Sequence, residues 1–216
     1  MFPRRFTIRL TLATAVLLAG TSSACNDRTL ISAPDVASTP RLDRKRDPNP
    51  STTVASASIV RRTKALQANE FACGLITPTS RSEGTSLSLG KAGLKVTFPR
   101  GAVSSATNVC LVAHAGVLLT YSFSPHGLQF NLPIAVKQDL HGTTAFHNGT
   151  LASDLLGGYL ANEVAKDVDI NGVGSFAQVF TVQGADETGK LTNAKPSSVT
   201  FYTNHFSGYA LASGRQ

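Results

Sequence analysis

The stretch Gly93-Leu94-Lys95-Val96-Thr97-Phe98-Pro99-Arg100-Gly101-Ala102-Val103 decides the fold class. Apolar and polar residues alternate from Leu94 to Phe98. Successive side chains on a strand point to opposite faces, so Leu94, Val96 and Phe98 are expected on one buried face. Gly90-Lys91-Ala92-Gly93 sits where a hairpin turn is wanted, as does Asn171-Gly172 further on. Similar short segments, punctuated by Gly, Pro, Asn and Asp, predict strands at 86–89, 94–98, 108–114, 117–124, 132–138, 158–162, 175–183, 198–203 and 206–212. No long helical periodicity intervenes. The region from 71 to 216 therefore reads as one all-β domain, an antiparallel β-sandwich.

Ahead of this domain the composition changes. Residues 25–70 are rich in Ser, Thr, Pro and Ala, with a charge cluster from Arg41 to Asp47 and Pro48-Asn49-Pro50 behind it. So little apolar surface does not repay its ordering entropy, and a disordered, flexible tether is expected. Arg44-Lys45-Arg46 and Arg61-Arg62 read there as solvated linker charge. Residues 1–24 have a basic head with Arg4, Arg5 and Arg9, an uncharged apolar centre from Leu10 to Gly20, and the small residues Thr21, Ser22, Ser23 and Ala24. That is the pattern of a cleaved export signal, too short to span a bilayer.

Ser22-Ser23-Ala24-Cys25 resembles the bacterial lipobox, although Ser22 stands where Leu is usual. The resemblance implies acylation of Cys25 and a membrane anchor in the cell envelope, facing the periplasm or the surface; plain secretion is the alternative. A multiply acylated cysteine supplies by itself the two lipid signals that stable anchoring needs. With Cys25 occupied, Cys73 and Cys110 remain as an even pair. In an oxidising envelope they are expected to form a disulfide, two separate buried thiols being the other reading.

The formal net charge of +7 divides along the chain as +3 over residues 1–25, +3 over 26–70 and +1 over 71–216. The near-neutral domain argues against a nucleic-acid partner.

The quoted stretch also resembles the opening of the ZU-five domain, the β-sandwich of ankyrins, zonula occludens proteins and netrin receptors. Phe123-Ser124-Pro125-His126-Gly127-Leu128-Gln129-Phe130 with Pro133, and the closing Asn204-His205-Phe206-Ser207-Gly208-Tyr209-Ala210, fit the same pattern. Residues 140–158 depart from it. In those relatives the domain mostly binds other proteins, though a fold does not transfer a partner. The anchor, the linker composition and the absence of catalytic motifs lead to the expectation of a non-enzymatic sandwich that contacts an envelope or extracellular protein.

Two local chemistries stand out. His205-Phe206-Ser207 matches the triplet at which some relatives cleave themselves between Phe and Ser, through attack of the Ser hydroxyl on the preceding carbonyl. No histidine in 175–203 offers a second base, and a final core strand with Phe206 inward and Ser207 outward explains the same residues. Asp167-Val168-Asp169-Ile170-Asn171-Gly172, with Ser175, matches the first half of a calcium loop. Gln178 stands where a closing carboxylate is needed, so a solvated turn is the expected reading. His114, His126, His141 and His147 lack a zinc spacing and read as surface or satisfied histidines. No metal, cofactor or enzymatic turnover is expected.

Overall fold

The computed structural model describes residues 55–79, 84–162 and 164–214; the expected export signal, Cys25 and most of the expected tether lie outside the described residues. Its strands are β1 (Ala55–Ile59), β2 (Arg61–Leu66), β3 (Glu70–Ile76), β4 (Thr85–Leu89), β5 (Leu94–Phe98), β6 (Thr107–Ala113), β7 (Gly116–Leu118) and β8 (Thr120–Ser124). They continue as β9 (Gln129–Asp139), β10 (Leu155–Leu160), β11 (Val173–Phe176), β12 (Gln178–Thr181), β13 (Gln183–Ala185), β14 (Ser198–His205) and β15 (Gly208–Ser213). Two single-turn helices, α1 (Thr144–His147) and α2 (Val164–Asp167), interrupt them.

The β5 alternation works as expected: Leu94, Val96 and Phe98 are buried while Lys95 is exposed. β4 and β5 pair across the turn at Gly90–Gly93, with Gly93 at a positive φ of 69° that suits glycine. These two strands edge a five-stranded antiparallel sheet in the order β13-β14-β9-β5-β4. An eight-stranded sheet faces it, in the order β11-β1-β15-β8-β6-β3, with β10 on β15 and β12 on β10. β2 and β7 form a separate two-stranded ribbon. The inner faces meet in an aromatic core to which Phe98 and Phe130 come from the first sheet, Phe123 and Tyr209 from the second.

Two expectations need correction at the N-terminal side. The domain begins at Ala55 or earlier, because residues 55–70, expected as tether, contribute β1, β2 and the start of β3. β1 runs antiparallel between β11 and β15 and buries Ala57 and Ile59. Small side chains hide this strand from a hydrophobicity reading, yet they fit here because Ala57 lies opposite Gly174. Arg61 and Arg62 are not linker charge either. Arg61 Nη2 donates to the Asn171 carbonyl at 2.9 Å, and Arg62 is 6% exposed.

Other differences are smaller. The segment expected at 117–124 breaks into β7 and β8, and that at 175–183 into β11, β12 and β13. Phe206 and Ser207 precede the last strand rather than opening it, and Ser207, expected outward, is 1% exposed.

Cys73 and Cys110 are joined by a disulfide, with an S–S distance of 2.02 Å. The two residues face each other in the β3–β6 register. β3 is the edge of its sheet, and the bond ties it to its one ladder neighbour.

Glycines on β10 and β11 make room for one ring. A Cβ built on Gly158 lies 2.2 Å from the fully buried Phe176 ring, and one on Gly174 lies 2.5 Å from it. Gly158→Ala is therefore expected to cost about 1–3 kcal/mol by overpacking, read as a lower midpoint in urea at unchanged slope.

Candidate functional site

The chain crosses between the two sheets at neighbouring places. The link 125–128 carries it from β8 of the larger sheet to β9 of the smaller, and Phe206 and Ser207 carry it back from β14 to β15. Strand pairing cannot satisfy the backbone groups of these links, so the links bond to each other. Phe206 N–H donates to the Leu128 carbonyl at 2.8 Å, and Gly127 N–H donates to the Phe206 carbonyl at 2.8 Å. Phe123 N–H donates to the Ser207 carbonyl at 2.9 Å. Gly127 holds a φ of 77°, a left-handed conformation that a side chain would oppose.

The Phe206 ring anchors this junction. It is fully buried, with ring centroids 4.9 Å from Phe130, 5.2 Å from Phe123 and 5.9 Å from Phe98. Its neighbour Ser207 places Oγ 2.8 Å from His126 Nε2 and 3.1 Å from the Leu160 carbonyl. A hydroxyl has one proton, so the two contacts are alternatives in sense. Either Ser207 donates to Leu160 and accepts from His126, or it donates to His126 Nε2. In the second arrangement the imidazole is set to take the hydroxyl proton.

His126 was the partner that sequence reasoning missed. It is exposed, as expected of a surface histidine, but the fold brings it onto a serine 81 positions later. Pro125-His126-Gly127 and His205-Phe206-Ser207 were both visible as motifs. Nothing in either showed that they meet.

His205, adjacent to the Phe206–Ser207 bond, engages other groups. Its Nδ1 lies 3.0 Å from the Tyr209 hydroxyl, which is also 2.9 Å from Thr203 Oγ1, and its ring meets Tyr159 edge-on at 4.7 Å. Burial, and then the charge of His126, push the His205 pKa down; burial raises that of Tyr209. His114, 2.7 Å from Ser122 Oγ, is also held down by burial and then by Arg62.

These two histidines resist protonation when folded, so the unfolded chain binds more protons once the pH falls below the ordinary histidine value of 6.5. Stability is expected to be undiminished above that value and to fall as the pH drops toward their lowered folded values. Thermal unfolding followed between pH 7.5 and 5 checks this. His141 has the opposite sign: bonds to Glu187 at 2.8 Å and Asp139 at 2.6 Å raise its pKa, giving stability below 6.5 that is lost as pH rises through the raised value. Its exposure leaves that contribution small.

The calcium-loop residues are engaged locally. Asp167 accepts from Asn162 N–H at 2.7 Å and from its Nδ2 at 2.9 Å. Asp169 Oδ1 accepts from Asn171 N–H at 2.9 Å and Val173 N–H at 2.7 Å, which closes a tight turn with Gly172 at a φ of 82°. These backbone bonds lower the Asp169 pKa. Ser175 lies on β11 opposite Ser56, and Gln178 on β12 opposite Tyr159. Among the described residues no group of three or more His, Cys, Asp or Glu side chains is placed to hold a metal ion.

No family model matches the chain, and no curated protein sequence matches it.

Proposed function

We propose that the chain is an exported, envelope-anchored β-sandwich that cleaves itself once, between Phe206 and Ser207. The reading rests on one observation, the convergence of His126 Nε2 on Ser207 Oγ at 2.8 Å while Gly127 N–H holds the Phe206 carbonyl at 2.8 Å. Ser207 Oγ adds to the Phe206 carbonyl carbon, and His126 takes the hydroxyl proton. Gly127 N–H supports the negative charge that develops on the carbonyl oxygen. The amide C–N bond then breaks as the amine of Ser207 receives the proton, leaving an ester. One water opens the ester to the Phe206 carboxylate and restores the Ser207 hydroxyl. The resemblance to the ZU-five family adds to the reading, since some of its members are cut at this triplet.

The released segment, residues 207–216, contains β15, which pairs with β10 along one edge and with β8 and β1 along the other. It stays in the folded sandwich, so the cut is visible only after denaturation. Intact mass under denaturing conditions is expected to show wild type as two pieces ending at Phe206 and starting at Ser207, and Ser207→Ala as one. A wild-type protein that stays whole sinks the reading.

A second reading, that the sandwich acts by contact alone, is favoured by the edge strand β3. It exposes Phe71 to 74% and Leu75 to 55% beside the disulfide. In both readings Cys25 carries the lipid. Cys25→Ala is expected to move the protein from the membrane to the soluble fraction, whereas membrane retention by that variant would remove the anchor.

A further inference from the structure

A buried arginine leaves three of its five N–H donors without a well-formed hydrogen bond. Arg62, on β2, is 6% exposed and directs Nη1 toward the carbonyls of His114, Gly116 and Leu118. Its guanidinium carbon lies 5.9 Å from the centre of the Tyr121 ring, whose hydroxyl donates to Gln138 Oε1. Nε and Nη2 are sealed from solvent and, among the described residues, make no hydrogen bond of good geometry, although the guanidinium lies close enough to the Tyr121 hydroxyl to act on it. Among the described residues no carboxylate forms an ion pair with this side chain. A buried cation left in that condition is costly, and an anion is what would offset the cost.

The same arginine forms part of the wall of a cavity of about 750 Å³, bounded by the β2–β3 turn, the β4–β5 turn and the segment that follows β9. Leu66, Phe71 and Leu119 give it apolar surface, and Lys64 and Lys91 add positive charge. The two acids in the wall are already committed. Glu70 accepts from Lys91 N–H at 3.1 Å and Ala92 N–H at 2.7 Å, and Asp139 accepts from His141. With three cations against two carboxylates, the cavity suits a single negative charge.

We infer that this cavity binds an organic monocarboxylate with an apolar body, its carboxylate held by the unused Nε and Nη2 of Arg62. Those two donors form the side edge of the guanidinium, the fork that takes two carboxylate oxygens in parallel. The apolar body lies against Leu66, Phe71 and Leu119. Nε and Nη2 are sealed in the free protein, so binding requires the Arg62 fork to turn toward the cavity as the carboxylate enters. The inference is independent of the cut at Ser207.

Titration of the purified chain with octanoate, 1-octanol and octyl phosphate at pH 7.5, by calorimetry and thermal shift, tests it. Octanoate is expected to bind saturably and raise the melting temperature. The alcohol, with the same tail and no charge, is expected to do neither. Arg62→Lys keeps the charge and loses the fork, and is expected to weaken octanoate about tenfold. Ala68→Trp, at an exposed position in the cavity wall, is expected to block binding in a protein that folds normally, and it decides the matter if the arginine variant does not fold. The inference is overturned if octanoate gives no saturable response, if 1-octanol binds equally, if octyl phosphate binds more tightly, or if Ala68→Trp binds octanoate like wild type.

Discussion

On the proposed mechanism, replacing His126 with Asn is expected to slow cleavage at Phe206–Ser207 by about 10²–10⁴-fold, the usual contribution of a positioned general base. Asn preserves a polar contact with Ser207 Oγ but cannot accept and then return a proton. Because His126 is exposed, the variant should melt close to wild type, which separates a chemical role from a structural one. Time-resolved denaturing mass spectrometry on freshly refolded chain reads the rate. Cleavage of His126→Asn at the wild-type rate would assign the proton transfer to another group. His205 is poorly placed to replace it, with Nδ1 against Tyr209 and its ring against Tyr159. Gly127→Ala should slow cleavage too, since its φ of 77° is strained for alanine by about 1–2 kcal/mol and the N–H that holds the Phe206 carbonyl would shift.

Removing the disulfide is the second large effect. Cys73 and Cys110 are separated by 37 positions, and in the chain-entropy account closing such a loop restricts the unfolded chain by roughly 4 kcal/mol. A Cys73→Ser, Cys110→Ser double variant is expected to lose up to that amount, measured as a lower guanidinium midpoint. The loss should be uneven. β3 is a sheet edge whose ladder bonds run only to β6, so its amides should exchange faster than those of β8 or β15, which have strands on both sides. A variant with wild-type stability would mean that the unfolded chain is already restricted without the bond.

How much of this was legible depends on the range over which each signal acts. β5 was read to the residue because alternation inside five positions carries its own evidence, and Pro99 and Gly93 mark its ends. β1 was missed because Ala55-Ser56-Ala57-Ser58 carries almost no apolar signal. It becomes a strand only where the glycine-bearing β11 and the closing β15 accept its small side chains. Arg62 was misread for a related reason. A charge in a polar stretch is ordinarily solvated, and its burial depends on β7 and β8 supplying carbonyls and the Tyr121 ring.

The candidate site divides in the same way. His205-Phe206-Ser207 stood out through its likeness to a triplet that some ZU-five domains cleave, and the Cys73–Cys110 pair followed once Cys25 was set aside, because both are read from residues and their order along the chain. That His126 reaches Ser207, that Gly127 faces the Phe206 carbonyl, and that Arg62 ends in a cavity wall were decided by tertiary structure. The physical reason is that each depends on two links or strands from distant parts of the chain lying side by side. Sheet register and packing set that proximity, and local periodicity does not encode it.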